Sequence, residues 1–406
     1  MTWGMLLPYR IKSGLVVGIL FLTGLVATLY GQDNVINGAD VYRNQGMVLG
    51  KFKSLVEGDS LILYAQITFA NPVSDSIPLS TQVEFEDGSR ETAALEFHQA
   101  IDNQQDRIFT FKWIYSLDRS LSSFTVEVNI RPRVWTFVEG IAPFKSHPRG
   151  GIHLVDSHKG LPLFDPFHRL KDSLRIECRT SVDTVYAFYY GHSFDPARPP
   201  MSLRAGQSSS ELIIDSVLAL PVGGNIIFPL PGLYLIQADT NGIEGAALYV
   251  GSKGYPKPRM LQELSEPLVY ITTKEEFQEI KADFSSKKAF DKFWLSTVGN
   301  PQKARGSIKR YYQYVESANR YFTSYKPGWK TDRGMVFTVM GPPIMVNKNK
   351  SREVWGYLQG DSEVEFTFIK VGNIFSDNHY ELRREENLDR PWFRAIDRWR
   401  KGLTGF

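Results

Sequence analysis

The chain has 406 residues, with 47 Lys and Arg against 44 Asp and Glu and a formal net charge of +3. That length suits two or three domains, and 42% hydrophobic with 22% charged residues is a globular composition, which excludes wholesale disorder. The single cysteine, Cys178, excludes an internal disulfide, so stability rests on core burial alone.

Arg10 and Lys12 precede an apolar run from Gly14 to Tyr30, broken only by Thr23 and Thr28, and polarity returns at Gly31-Gln32-Asp33-Asn34. This is the layout of a signal peptide over residues 1–32, and the small residues Ala27 and Gly31 suit a peptidase. At about 17 residues the run lies at the short edge of a membrane span, so retention as an N-terminal anchor is the alternative to cleavage. No cysteine follows the run, which argues against a lipoprotein. The expected location is therefore periplasmic or extracellular, with or without an N-terminal anchor.

Residues 33–146 alternate apolar and polar side chains in runs such as Leu61–Phe69, Thr81–Phe85, Ile108–Trp113 and Phe124–Ile130. Turn signals at Glu57-Gly58-Asp59, Asn71-Pro72 and Glu86-Asp87-Gly88 separate them. Strands at this rhythm without intervening helices predict an antiparallel β-sandwich. Residues 147–172 carry Pro148, Gly150, Gly151, Gly160, Pro162 and Pro166 and read as an irregular linker. His147, His153, His158 and His168 collect there, but their spacing is uneven, so loop histidines are the better reading and no metal is expected.

A second β pattern over 173–253 includes Thr184–Tyr190, Glu211–Asp215, Gly232–Ala238 and Ala246–Val250, and predicts a second, immunoglobulin-like sandwich. Pro231-Gly232-Leu233-Tyr234, opening a late strand, fits that habit. Leu174, Ile176 and Cys178 alternate with charged residues, so the thiol should face a sheet core. Alternating Tyr and Phe in these strands read as core before they read as a sugar-binding platform.

From 254 to 406 the period becomes helical. Thr273 and Glu276 form a capping box, a second helix starts near Ser286, and a third runs from Gln302 to Ser324. Its buried stripe is Ile308, Tyr311, Tyr312, Val315, Ala318, Asn319 and Phe322. Four strands are expected next, Met335–Met340, Glu353–Leu358, Val364–Ile369 and His379–Arg384, with a hairpin turn at Gln359-Gly360-Asp361-Ser362. Three helices and a small antiparallel sheet make an α+β domain. Asp389–Lys401 closes the chain as a basic-aromatic helix with Trp392, Ile396 and Trp399 on one face. The segment from Lys257 onward is net basic, whereas the β regions before it are net acidic.

The densest local order is Gly328-Trp329-Lys330-Thr331-Asp332-Arg333-Gly334, followed by Gly341-Pro342-Pro343 and by Glu353-Val354-Trp355-Gly356-Tyr357. These motifs, in this order, resemble the GWxTD-domain family of bacterial envelope proteins, over about the last third of the chain and more loosely ahead of it. The resemblance implies a fold and a compartment but no activity, so it supplies no catalytic residues and no cofactor.

Gly328, Trp329, Thr331, Asp332, Arg333, Gly334, Gly341, Pro342, Pro343 and Trp355 are the candidate site residues. Read physically, Trp329 anchors a helix-to-sheet junction, Asp332 bonds turn amides or pairs with Arg333, and the glycines permit positive φ or close approach. A recognition face on the motif is the rival reading. Neither a nucleophile elbow nor a zinc-protease helix nor a phosphate loop occurs.

The leading expectation is an exported, non-catalytic envelope protein that binds or assembles an envelope protein partner. The alternative is a cell-wall or glycan-directed hydrolase built on Asp332 and Arg333 with a carboxylate such as Glu353, or on the histidines between His147 and His168, or a carbohydrate-binding module. No nucleic-acid signature is present. Membrane contact would run only through an uncleaved N-terminus or the C-terminal helix.

Overall fold

A computed structural model describes residues 37–42, 48–57, 60–69, 79–92, 96–102, 107–116, 121–130, 132–141, 151–178, 181–203, 212–242, 245–284, 286–376 and 378–403. The expected export segment at 1–32 and His147 lie outside the described residues.

The first module has eight strands: β1 Val48–Glu57, β2 Ser60–Phe69, β3 Leu79–Phe85, β4 Arg90–Thr92, β5 Glu96–Asp102, β6 Arg107–Ser116, β7 Leu121–Ile130 and β8 Arg133–Gly140. They form two antiparallel sheets, ordered β1-β2-β6-β5 and β4-β3-β7-β8. Period two puts Leu61, Leu63, Ala65, Ile67 and Phe69 on one face of β2. That face meets Val83, Phe124, Val126, Val128 and Phe137 of the other sheet in one core.

The second module follows as β9 Ile152–Asp156, β10 Phe167–Arg169, β11 Leu174–Cys178, β12 Thr184–Tyr190, β13 Ser216–Pro221, β14 Asn225–Ile226, β15 Gly232–Gln237 and β16 Ala246–Gly251. Its sheets are β10-β16-β15-β12-β13 and β14-β11-β9. β10 runs parallel to β16, and the other pairings are antiparallel. Cys178 pairs with Ile152 and packs, half-buried, against the core of Ile176, Val185, Tyr234 and Leu248.

β9 and β10 correct the expectation of an irregular linker over 147–172. Strands of three and five residues between breakers are too short for alternation to be legible. Asp156 turns the chain after β9 by accepting the amides of His158 and Lys159.

The C-terminal part is α+β, with more helix than expected: α1 Leu261–Ser265, α2 Lys274–Ala282, α3 Lys287–Val298, α4 Pro301–Phe322, α5 Asp332–Met340 and α6 Asp389–Arg400. The capping box of α2 is formed by Thr273 and Glu276. Gly299, at φ +70°, ends α3, and the Asn300 side chain caps α4 through the amides of Gln302 and Lys303. The sheet is β17 Met345–Lys348, β18 Arg352–Gln359, β19 Ser362–Lys370 and β20 Tyr380–Leu382, antiparallel in that order.

One expected strand is a helix. Met335–Met340 belongs to α5, and every residue of α5 is buried. A helix buried on all sides loses its polar stripe, so its apolar run cannot be told from a core strand by period. The deciding signal lies just upstream. Thr331, in extended conformation, accepts the Gly334 amide at 3.1 Å, and Asp332 places a carboxylate at the helix start. The first strand of the sheet comes one turn later, after Gly341 at φ +81°.

The core of this part holds Trp294, Tyr311, Phe322, Trp329, Phe337, Trp355, Phe366, Trp392 and Trp399, and also Ala39 and Tyr42 from the far end of the chain. Trp392 and Trp399 are thus spent on the protein's own core.

Candidate functional site

The motif wraps the junction between α4 and α5. Its glycines are needed for close approach: a Cβ on Gly328 would lie 2.0 Å from the Ala318 carbonyl oxygen, and one on Gly334 would lie 1.8 Å from the Gly328 carbonyl oxygen. The two backbones therefore touch where any other residue would force them apart.

The remaining polar groups lock this contact. The Gly328 amide donates to Tyr255 Oη at 3.3 Å, and the Trp329 amide donates to Asn319 Oδ1 at 3.2 Å. Asn319 in turn donates to the Pro256 carbonyl, and Tyr270 Oη donates to the Trp329 carbonyl at 2.9 Å. Thr331 Oγ1 donates to the Gly328 carbonyl at 2.7 Å while capping α5. The Trp329 ring is buried edge-on against Tyr270, with the Lys330 ammonium over it.

The two charged residues of the motif diverge. Asp332 accepts Arg384 through both oxygens, at 2.6 and 3.2 Å, and also the Leu382 amide at 2.7 Å. That ties the start of α5 to β20. Arg333 turns inward: Nη1 donates to Glu353 Oε1 at 2.9 Å, and Nη2 donates to the backbone and side-chain oxygens of Asn378. Its guanidinium lies 3.9 Å from the centre of the Tyr380 ring. Asp332 and Arg333 are thus not each other's partners.

Glu353 is wholly buried on β18. Its other oxygen accepts Tyr42 Oη at 2.7 Å and Trp355 Nε1 at 3.0 Å, and Lys348 Nζ stands 3.5 Å from Oε1. Burial by itself raises its pKa, but Arg333, Lys348 and the two donors outweigh burial and hold it below the ordinary value. Lys348 is the mirror case: burial lowers it, Glu139 and Glu353 raise it further, and the net direction is well up. Lys348 also reaches Glu139 of β8 at 2.7 Å, so the cluster extends into the first module.

Gly341 and Pro343 are buried and Pro342 is exposed; the Gly341 carbonyl accepts Tyr357 Oη at 3.0 Å. The Trp355 ring stacks among Tyr42, Phe322 and Phe368. Sequence reasoning missed Tyr42, Lys348, Asn378 and Arg384 as members of this assembly. Asn319 was legible as part of the α4 stripe, though not as the ligand of the motif backbone.

All four carboxylate oxygens of Asp332 and Glu353 accept donors inside the fold. Residues 232–401 match the family model of the GWxTD domain. The chain carries a GWxTD domain. The matched span opens in β15, so the last two strands of the second module belong to it. Comparison with curated proteins found no match.

Elsewhere, His168 bonds the Asp172 carbonyl through Nε2 at 2.9 Å and His158 is exposed, outside the GWxTD motif. Among the described residues no group of three or more His, Cys, Asp or Glu side chains is placed to hold a metal ion, and no helix is long and apolar enough to cross a membrane.

Proposed function

We propose that this is an exported, non-catalytic envelope protein that works by binding or assembling an envelope partner, with its GWxTD motif as an architectural joint. The observation that carries this reading is the internal engagement of the motif: Asp332 is held by Arg384 and Leu382, and Arg333 by Glu353 and Asn378. A hydrolase needs a carboxylate pair flanking a cleft with free oxygens. The candidate pair here is committed to fold-internal donors.

The immunoglobulin-like character of the second module belongs to the same proposal. It is supported by the parallel β10–β16 edge and by Tyr234 near the start of β15, whose Oη donates to the Leu230 carbonyl at 2.8 Å. That is the hydrogen bond of a tyrosine corner. Export rests on the basic and apolar layout of residues 10–34.

The test is in-cell crosslinking of the full chain with mass spectrometry, on fractionated cells. The expected result is a mature form in the envelope fraction, crosslinked to an envelope protein. A cytoplasmic form, or glycan hydrolysis that Glu353→Gln abolishes in a folded protein, overturns the reading.

A further inference from the structure

α6 lies against α4: the Trp399 ring is 5.3 Å from Tyr311 and 5.8 Å from Tyr314, and a Cβ on Gly402, just past the end of α6, would stand 3.2 Å from Lys303 Cβ. The two helices thus share one outer surface. Together they carry nine Lys and Arg against three Asp and Glu, and Lys401 follows directly. Of the acids, Glu316 is held by Arg320 and Asp397 by Lys401, while Asp389 sits at the start of α6. Lys303, Arg305, Lys309, Arg310, Arg390 and Arg394 are all exposed and form no ion pair among the described residues.

Charge is divided between the two layers of the domain. β18 turns Trp355 and Tyr357 toward the helices, and on the far side of the sheet stand the exposed Glu363, Glu365 and Glu381, with Arg352. Cations on the helices and carboxylates on the sheet orient the domain in a field, helices first toward a negative surface.

The basic surface also carries isolated apolar side chains. Phe393 is 59% exposed on the same face of α6 as Arg390 and Arg394, and Leu403, past the helix end, is 47% exposed. Such a mixture fits the headgroup zone of a bilayer, where cations meet phosphate oxygens and apolar tips enter the acyl boundary. An acidic protein would need two apolar pockets in register with Phe393 and Leu403, about 15 Å apart along the helix. A fluid lipid surface needs no register.

We propose that the outer face of α4 and α6 is a docking surface for an anionic phospholipid membrane, with the six cations on headgroup phosphates and Phe393 and Leu403 as shallow inserts. Each cation close to such a surface strengthens binding about fivefold, so the contact is reversible and weakens with salt. The inference does not rest on the partner-binding reading.

The test is lysine acylation of the full chain with vesicles, read by mass spectrometry residue by residue, so that the N-terminal apolar run does not enter the readout. Vesicles of phosphatidylcholine alone are compared with vesicles of phosphatidylcholine and phosphatidylglycerol in equal parts. On the anionic vesicles only, Lys303 and Lys309 should lose more than about fivefold in reactivity and regain it at high salt. Lys171, exposed on the second module, should not change. Arg310→Glu combined with Arg394→Glu should abolish the protection and Phe393→Ser should reduce it, whereas Glu363→Gln, on the far side of the sheet, should leave it intact. All four positions are exposed, and circular dichroism checks the fold. Equal protection on neutral vesicles, no protection on anionic ones, or protection that a folded double variant retains overturns the proposal, and the salt response of the parent decides it without any variant. Equal protection by soluble polyglutamate also overturns it, in favour of an acidic protein.

Discussion

Arg333 Nη1 lies 2.9 Å from Glu353 Oε1, and the two side chains are 2% and 0% exposed. A pair this deep is weak evidence of stability in itself, because desolvation offsets most of its attraction, but breaking it strands a buried charge. Arg333→Met is therefore expected to destabilise the protein by about 3–5 kcal/mol. Glu353→Gln should cost at least as much, since it leaves Arg333 and Lys348 both without their shared carboxylate. Chemical denaturation followed by tryptophan fluorescence measures both. A loss under about 1 kcal/mol in each would mean the cluster is solvated and the joint reading is wrong.

Gly334→Ala probes the close approach directly. The added carbon would stand 1.8 Å from a backbone oxygen, which no side-chain rotation relieves. The expected cost is about 3 kcal/mol or more, beyond ordinary overpacking, because α5 must move away from the Gly328 turn. Gly306→Ala, in α4 with open space around it, serves as the control and should be neutral or slightly stabilising. Thermal melts of the two variants side by side decide it.

These costs bear on what was readable beforehand. Period two and turn chemistry made both β modules legible, and Thr273 and Ser286 marked helix starts where they occur. α5 was misread because burial on all sides erased its polar stripe. The motif glycines were legible as sites of close approach, but not what they approach, since Ala318 and Gly328 meet through space. Tyr42 was illegible for a stronger reason: its partner Glu353 is 311 residues away, and no local pattern encodes such a contact.

Tyr42 carries the next prediction. Its hydroxyl serves Glu353, and its ring packs on Tyr321, Phe322 and Trp355. Tyr42→Phe should cost about 1.5–3 kcal/mol, the range for a hydrogen bond to a charged group. Tyr42→Ala should cost about 3–5 kcal/mol by adding a cavity. The GWxTD core therefore needs a residue far outside the matched span 232–401. Equal stability of parent and Tyr42→Ala in urea would show that the segment does not dock.

Acid should weaken the fold in two windows. His379 is buried near Lys326 and Arg333, and burial first, then these two cations, depress its pKa from 6.5 to about 4. Its Nε2 lies 3.9 Å from Glu381, but a neutral imidazole makes no ion pair there. Because the folded pKa is the lower one, protonation favours the unfolded chain. The contribution is complete above pH 6.5 and is lost as pH falls toward about 4, up to about 3 kcal/mol. Glu353 and Glu276 are likewise depressed, so their share is lost below about pH 4.5. His379→Leu, which cannot titrate, should flatten the upper window and leave the lower one. Stability profiles from pH 8 to about 4 that superimpose for parent and variant would refute the assignment.

The Tyr234 hydrogen bond can be tested apart from the GWxTD motif. Tyr234 is fully buried in the second module, its ring 4.4 Å from Phe228, and its hydroxyl is held by the Leu230 carbonyl ahead of β15. Burial, only partly countered by that bond, pushes its pKa up to about 12, so the hydroxyl stays protonated and donating across the physiological range. Tyr234→Phe keeps the ring and leaves that carbonyl one donor short, for an expected loss of about 1 kcal/mol. Because Leu230 to Gly232 form the turn into β15, hydrogen exchange should quicken at Leu233 and Leu235 before it does anywhere in the GWxTD helices. Exchange that quickens first around Trp329 instead would show that this turn and the GWxTD motif are one cooperative unit rather than two.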